Sequence, residues 1–95
     1  KTLHENVLSF RTQILHNKLD HLFINSYSAI HCCIIPGNSK VKTIAKNLQE
    51  SGFDVKPILS PTVSIGQERL RFCLHAYNTE KEISEVLGLL ATFAL

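Results

Sequence analysis

The stretch from Arg69 to His75 alternates strictly between polar and apolar side chains. Successive side chains of an extended strand point to opposite faces, so this strand has one apolar face and one polar face. Its apolar members are Leu70, Phe72 and Leu74. A strand of this kind belongs in a sheet that has a core on one side only. We therefore expect a sheet whose uncovered face carries Arg69, Arg71, Cys73 and His75.

Apolar residues at helical spacing predict three amphipathic helices around this strand. The apolar side of the first helix consists of Leu3, Val7, Phe10, Ile14, Leu15, Leu19 and Leu22. The second helix carries Val41, Ile44, Ala45 and Leu48. The third carries Ile83, Val86, Leu87 and Leu90. These side chains, together with the apolar face of the strand, are the expected core.

The ends of the second and third helices carry local signals. We expect Asn38 to cap the second helix. We also expect Gly52 to end that helix in a left-handed turn, with Phe53 folding back on the last turn. Thr79 and Glu82 have the spacing of a capping box, so the third helix should begin there.

Short runs rich in β-branched residues predict two further strands, at Ile30–Ile35 and Val55–Leu59. The order α-β-α-β-β-α is typical of an α+β domain. If the third strand lies between the other two, all neighbouring pairs are antiparallel and Pro57 lies in an edge strand, where proline is tolerated. We predict one domain over residues 1–95, with a three-stranded antiparallel sheet covered by helices on one face.

Composition excludes several classes of function. The net charge of +2 gives no basis for binding nucleic acid or an anionic membrane. No apolar run is long enough to cross a bilayer. The three cysteines show no zinc-binding spacing and are expected to be reduced thiols in the cytoplasm. The chain has no methionine, not even at its start, which suggests a piece of a longer protein or a processed chain.

Residue chemistry alone offers one candidate binding group. Arg71, on the uncovered face beside a loop containing Pro61 and Gly66, has the fork geometry that holds a carboxylate; the alternative is a solvated arginine. His31 and His75 could approach each other if their strands pair, but two histidines do not complete a metal site, and we expect the histidines to be partly buried neutral imidazoles. No phosphate loop or nucleophilic triad is recognisable. On this basis the chain could equally be a stand-alone binding or interaction module.

Four sequence pieces, in order and at matching spacing, resemble the α-oxoamine synthase family. The family pattern is G-[FY]-x-V, then a P-T-V-P-x-G loop, then R-L-R, then A-x-H-T before the last helix. The corresponding residues here are Gly52–Val55, Pro61–Gly66, Arg69–Arg71 and Ala76–Thr79. Ser28 and Ile30 also match an S-P-I-Q segment of the family.

The resemblance implies a role in a pyridoxal-phosphate (PLP) enzyme that condenses an amino acid with an acyl-CoA and releases carbon dioxide. It implies that Arg71 grips the amino-acid carboxylate and that Thr62 lines the substrate entrance. It also implies that PLP is held by a lysine of a separate large domain, in a homodimeric enzyme. This chain would then contain no catalytic, cofactor-binding or metal-binding residue, and would bind no PLP and be inactive on its own.

The chain departs from the family pattern at four positions. These are Ala29, His31, Ser64 and Asn78, which replace proline, glutamine, proline and histidine. The motifs are nearest to the biotin-biosynthetic branch, which implies L-alanine and pimeloyl-CoA or its carrier-protein thioester as substrates. The glycine-using 2-amino-3-ketobutyrate ligase branch shares the motifs and remains an alternative.

Overall fold

A computed structural model describes residues 2–95 as three helices and three strands. In chain order these are α1 (Leu3–His16), β1 (Ile30–Ile34), α2 (Asn38–Glu50), β2 (Val55–Ile58), β3 (Arg69–Cys73) and α3 (Glu80–Ala94). The predicted α+β class and element order are confirmed. No helix in the described range is long and apolar enough to cross a membrane.

The sheet has the order β1-β3-β2, and both pairings are antiparallel, as predicted. Pro57 lies in β2 at one edge, where its missing N–H leaves no ladder position unpaired. At the other edge, an isolated bridge pairs Phe23 with Cys33 of β1. Hydrogen bonds from the amides of Ile24 and Ile34 extend this bridge, so the loop after α1 protects the outer side of β1.

All helices contribute to one core against one face of the sheet. Leu70 and Phe72 of β3 are fully buried while Arg71 between them is exposed, which confirms the register predicted from the alternation. The Phe72 ring lies 5.5 Å from Phe10 of α1 and 6.2 Å from Phe53. The predicted core residues of α2 and α3 are all buried. Phe72 is thus the point at which strands, α1 and the turn after α2 meet.

The end of α1 differs from the prediction. The helix stops at His16, and Lys18 adopts a left-handed backbone conformation with φ of 59°. This bend turns the chain so that Leu19 is fully buried, whereas Leu15 is 65% exposed. The prediction that Leu15 continues the apolar side of the helix was wrong, because Leu15 is still within α1, one position after buried Ile14, and so points away from the core. Leu3, at the start of the helix, is likewise exposed, at 38%.

Helix-end predictions were confirmed at two sites and wrong at one. Thr79 and Glu82 form the predicted capping box. Gly52 has φ of 92° and Phe53 is buried behind it. Asn38, in contrast, is the first residue of α2, and its side chain bonds to Ser60 rather than capping the helix. The long-range partner outcompetes the local one, so sequence position alone could not reveal it.

Candidate functional site

Arg71 lies at the centre of the uncovered sheet face. It faces Cys32 of β1 on one side and Lys56 of β2 on the other. Among residues 2–95, the guanidinium has no hydrogen-bond or ion-pair partner, and the side chain is exposed. Two cations directly opposite each other on adjacent strands repel, and an anion bound between them relieves that repulsion. The face is therefore suited to a carboxylate.

Arg69, two residues earlier on the same face, already has a hydrogen-bond partner. Its Nε donates a hydrogen bond of 3.0 Å to the backbone carbonyl of Gln67. Its strand partners are Ile34 and Ile58, which are partly buried apolar residues. Arg69 is therefore held against the start of its own strand, and Arg71 is the arginine with its donors available.

Thr62 lies in the loop between β2 and β3, at the end of the sheet where β3 begins. Its side chain is exposed and makes no hydrogen bond to any described residue. It does not contact Arg71 through a hydrogen bond. The structure thus places both predicted substrate-binding side chains in solvent, one on the uncovered face and one on the adjoining loop.

Two polar side chains hold this loop at its ends. The amide of Ser60 donates to Asn38 Oδ1 at 3.0 Å, which ties the start of the loop to α2. At the other end, Glu68 Oε1 accepts from the amides of Gly37 at 3.0 Å and Gly66 at 2.9 Å. Gly66 has φ of 90°, a conformation that other residues adopt with strain. These contacts join the loop to the turn before α2 and fix the base from which Thr62 projects.

The charge of Glu68 is stabilised by these backbone donors. The hydrogen bond from Gly37 is the main cause that lowers the pKa of Glu68, and the Gly66 amide contributes in the same direction. A carboxylate with a lowered folded-state pKa stabilises the fold above the unfolded pKa, about 4.3. That contribution is lost as the pH falls through the lower pKa of the folded state.

Replacing Glu68 with glutamine is accordingly expected to lower stability at pH 7, where the charged acceptor is lost. It should also flatten the loss of stability below about pH 4.3, since the titrating group is gone. Urea denaturation of both proteins across this pH range measures the effect. Glu50→Gln, at the exposed end of α2, is the control. An acid limb identical in the Glu68→Gln and parent proteins would contradict the assignment.

The turn after β3 brings together three residues that the sequence did not connect. His75 Nε2 lies 2.8 Å from Asp54 Oδ2, and the Cys73 thiol is beside them. Cys73 and His75 are two residues apart, so their side chains lie on the same face of the sheet. Asp54 immediately precedes β2 and lies opposite Cys73. The sequence indicates this cluster only once the pairing of β2 with β3 is known, because Asp54 is far from Cys73 and His75 in the sequence.

His31 does not approach His75; it is a buried imidazole, as expected for the histidines. His31 pairs with Phe72 across the strands and therefore points into the core, whereas His75 lies on the opposite side. The imidazole is 1% exposed and packs 4.8 Å from the Phe10 ring. Removal from water is the main cause that lowers the pKa of His31, so the ring is neutral at pH 7. It is a core residue.

The described lysines lie on the surface of the domain. Lys18, Lys40, Lys42, Lys46, Lys56 and Lys81 are all exposed. A lysine that forms a stable link to a cofactor requires a pocket that also binds the phosphate and the ring. Exposed side chains of this kind are ordinary solvated lysines.

Comparisons with known proteins match nearly the whole chain. The 8-amino-7-oxononanoate synthase of Emericella nidulans is 34% identical over 91 residues, which are 92% of this chain and 22% of that protein. The chain therefore spans about a fifth of the length of the curated relatives it matches. No protein-family profile matches the chain.

Solved structures share the fold. The 8-amino-7-oxononanoate synthase of Francisella tularensis aligns with 95% of this chain at a TM-score of 0.77 and 24% identity, over 25% of its own length. A structure of SPT with a PLP internal aldimine aligns with 90% of this chain at a TM-score of 0.64 and 21% identity, over 24% of its length. Both likenesses establish the same small-domain fold within much longer proteins.

Proposed function

The chain belongs to the α-oxoamine synthase family and corresponds to the C-terminal domain of its members, and from this we propose that it is the small domain of a PLP-dependent acyltransferase. In that enzyme the domain binds the carboxylate of the amino-acid substrate and closes the site over it. When bound to the large domain, PLP supplies the electron sink for loss of carbon dioxide. The observation that carries the proposal is the exposed, unpartnered Arg71 on the uncovered sheet face.

Arg71 binds the carboxylate through two parallel N–H bonds, and Lys56 beside it adds positive charge. Fixing the carboxylate fixes the orientation of the bond that breaks on decarboxylation, which lowers the entropic part of the barrier. Thr62 contacts the substrate at the entrance from the loop held by Glu68 and Asn38. Because the loop is held rigidly, it loses less conformational entropy when the domain closes over the substrate.

We propose L-alanine and pimeloyl-CoA, or its carrier-protein thioester, as substrates, in biotin biosynthesis. Support comes from the sequence motifs and from relatives named 8-amino-7-oxononanoate synthase. The glycine-using 2-amino-3-ketobutyrate ligase reaction is the second candidate, because the carboxylate-binding arginine serves either amino acid. Neither nucleic acid nor a membrane is a proposed partner.

The proposed partners are the enzyme's own large PLP domain and a second copy of the enzyme. Several apolar side chains are exposed on this domain, including Leu15, Ile65 and Tyr77 at 65%, 90% and 73%. Ile65 lies in the substrate-entrance loop, where contact with the large domain or the acyl chain would cover it. The three cysteines are free thiols, which suits the cytoplasm as the proposed location.

The test is a panel of amino acids and acyl-CoA substrates given to the full-length enzyme. Release of the free thiol of CoA or of the carrier protein is measured with L-alanine, glycine and L-serine, each paired with pimeloyl-CoA, its carrier-protein thioester or acetyl-CoA. We expect L-alanine with pimeloyl-CoA or its carrier-protein thioester to give the highest kcat/KM. A preference for glycine with acetyl-CoA would select the second candidate, and no amino-acid-dependent release from any pair would refute the proposal.

The isolated chain is expected to bind no PLP specifically. Its described lysines are all exposed, whereas a specific complex requires a pocket that also holds the phosphate and the ring. Titration with PLP, followed by absorbance of the lysine-bound form, should give a weak, unsaturated signal spread over several lysines. A one-to-one complex abolished by replacing a single lysine would contradict this expectation.

A further inference from the structure

Asp54, Cys73 and His75 offer three metal-ligating atoms in one place. One carboxylate oxygen, one thiol sulfur and one imidazole nitrogen all lie within 4.8 Å of one another. His75 and Asp54 have side-chain exposures of 35% and 38%, and Cys73 is also half-buried. The cluster is thus accessible to an ion and partly shielded from water. It is separate from Arg71 and Thr62, which the proposed function uses.

The backbone holds this cluster in position without an ion. The Cys73 amide donates to the carbonyl of Asp54 at 2.9 Å, which fixes the start of β2 against the end of β3. The His75 amide donates to Asn78 Oδ1 at 2.7 Å, and the His75 ring stacks on Tyr77 at 4.8 Å between centroids. The ligands therefore need little reordering to bind.

The turn that carries His75 is itself anchored to α1. Asn6, which is fully buried, donates from Nδ2 to the carbonyls of His75 and Asn78, each at 2.9 Å. These two hydrogen bonds join positions far apart in the sequence and limit movement of the turn. The three ligands lie at the adjoining ends of two strands and in a turn that is anchored to α1. Such rigidity favours metal binding.

The donor set selects the kind of ion. Thiolate, imidazole and carboxylate together suit zinc and similar divalent transition metals, whereas magnesium and calcium prefer oxygen ligands throughout. Bond lengths of about 2.0–2.3 Å place neighbouring ligands of a tetrahedral zinc about 3.3–3.8 Å apart. The 2.8 Å between His75 Nε2 and Asp54 Oδ2 is a hydrogen bond, which the ion would replace by separating the two atoms by about 0.5 Å. The 4.8 Å limit of the cluster leaves room for this separation.

We propose that Asp54, Cys73 and His75 bind a zinc-class divalent ion at the β2–β3 end of the uncovered face, with the fourth position open to water. The Cys73 thiol loses its proton on binding, as a thiolate ligand must. Cys73 is two residues from Arg71 on the same face, a spacing of about 6–7 Å. The proposed site therefore lies on the same side of the sheet as Arg71.

Cobalt(II) is the probe, because a thiolate ligand gives it a charge-transfer absorption that oxygen and nitrogen ligands do not. The untagged 95-residue chain, kept reduced, is titrated with cobalt and then with zinc as competitor. We expect one ion per chain and displacement of cobalt by zinc. Cys73→Ser should abolish the thiolate band, and His75→Gln and Asp54→Asn should each weaken binding at least about 10-fold.

Cys32→Ser is the matched control, since Cys32 is also half-buried on the uncovered face but outside the cluster. Cys33 cannot serve as an alternative ligand, because burial raises the pKa of its thiol to about 12. Circular dichroism verifies that each variant is folded. The proposal is overturned if no one-to-one complex forms, if Cys73→Ser keeps the thiolate band, or if Cys32→Ser loses it equally. PLP and enzyme activity play no part in this readout.

Discussion

In the full-length enzyme, Arg71→Ala is expected to lower kcat/KM for the amino acid by about 30-fold to several thousand-fold. The range follows from about 2–5 kcal/mol for truncating one side of a desolvated charge pair. The KM for acyl-CoA should change far less, because the carboxylate belongs to the other substrate. Folding should be retained, since Arg71 is exposed and has no partner among the described residues.

Arg69→Ala is the control for this prediction. It removes the same charge from the same sheet face, but its Nε is already bonded to the carbonyl of Gln67. Steady-state kinetics of the two variants should show a large loss for Arg71→Ala and a small one for Arg69→Ala. The reverse order, or wild-type behaviour of both, would show that the carboxylate-binding arginine is wrongly assigned.

Phe72→Ala is expected to destabilise the isolated domain by about 3–5 kcal/mol, the usual cost of removing a buried phenylalanine. Phe72 is fully buried, and its ring lies within 6.2 Å of Phe10, Phe23 and Phe53. The cavity would separate the central strand from α1 and from the turn after α2. Since small domains have about 5–15 kcal/mol in total, much of the domain's stability would be lost.

Urea denaturation measures this effect, with Phe93→Ala as its control. Phe93 lies near the end of α3 and is 40% exposed, so truncating it leaves no closed cavity. Its loss of stability should be well below that of Phe72→Ala. Equal losses from the two substitutions would show that the core is not centred on Phe72.

The parts of the fold that sequence predicted are those in which local pattern and tertiary structure agree. Strict alternation in β3 determined which residues face the core, because slipping the register by one residue would bury Arg71 and expose Phe72. Pro57 identified β2 as an edge strand. The capping box at Thr79 located the start of α3 to the residue.

The parts that sequence missed depend on partners distant in the chain. Asn38 has the chemistry of a helix cap, but Ser60, beyond β2, offers its side chain a competing set of bonds. Lys18 takes a left-handed conformation that residue type does not suggest. The Asp54–His75 contact arises only when β2 pairs with β3, so no spacing rule could have anticipated it.

Arg71 is a better candidate for binding substrate than Arg69, although their alternation in the sequence does not distinguish them. Both alternate onto the uncovered face, and the sequence gives them equal side-chain chemistry. The family resemblance favours the second arginine, and the structure adds that the first is bonded to Gln67 while the second is unpartnered within residues 2–95. The proposed function therefore depends on the binding of the substrate carboxylate by Arg71.

The role of Arg71 can be measured by comparing L-alanine with L-alaninamide, which lacks the carboxylate, as ligands of the full-length enzyme. Binding of each is followed by the change in PLP absorbance for the wild type, Arg71→Ala and Arg69→Ala. We predict that the wild type and Arg69→Ala prefer L-alanine by about 30-fold or more, and that Arg71→Ala loses this preference. If Arg71→Ala keeps the full preference for L-alanine, Arg71 does not bind the carboxylate.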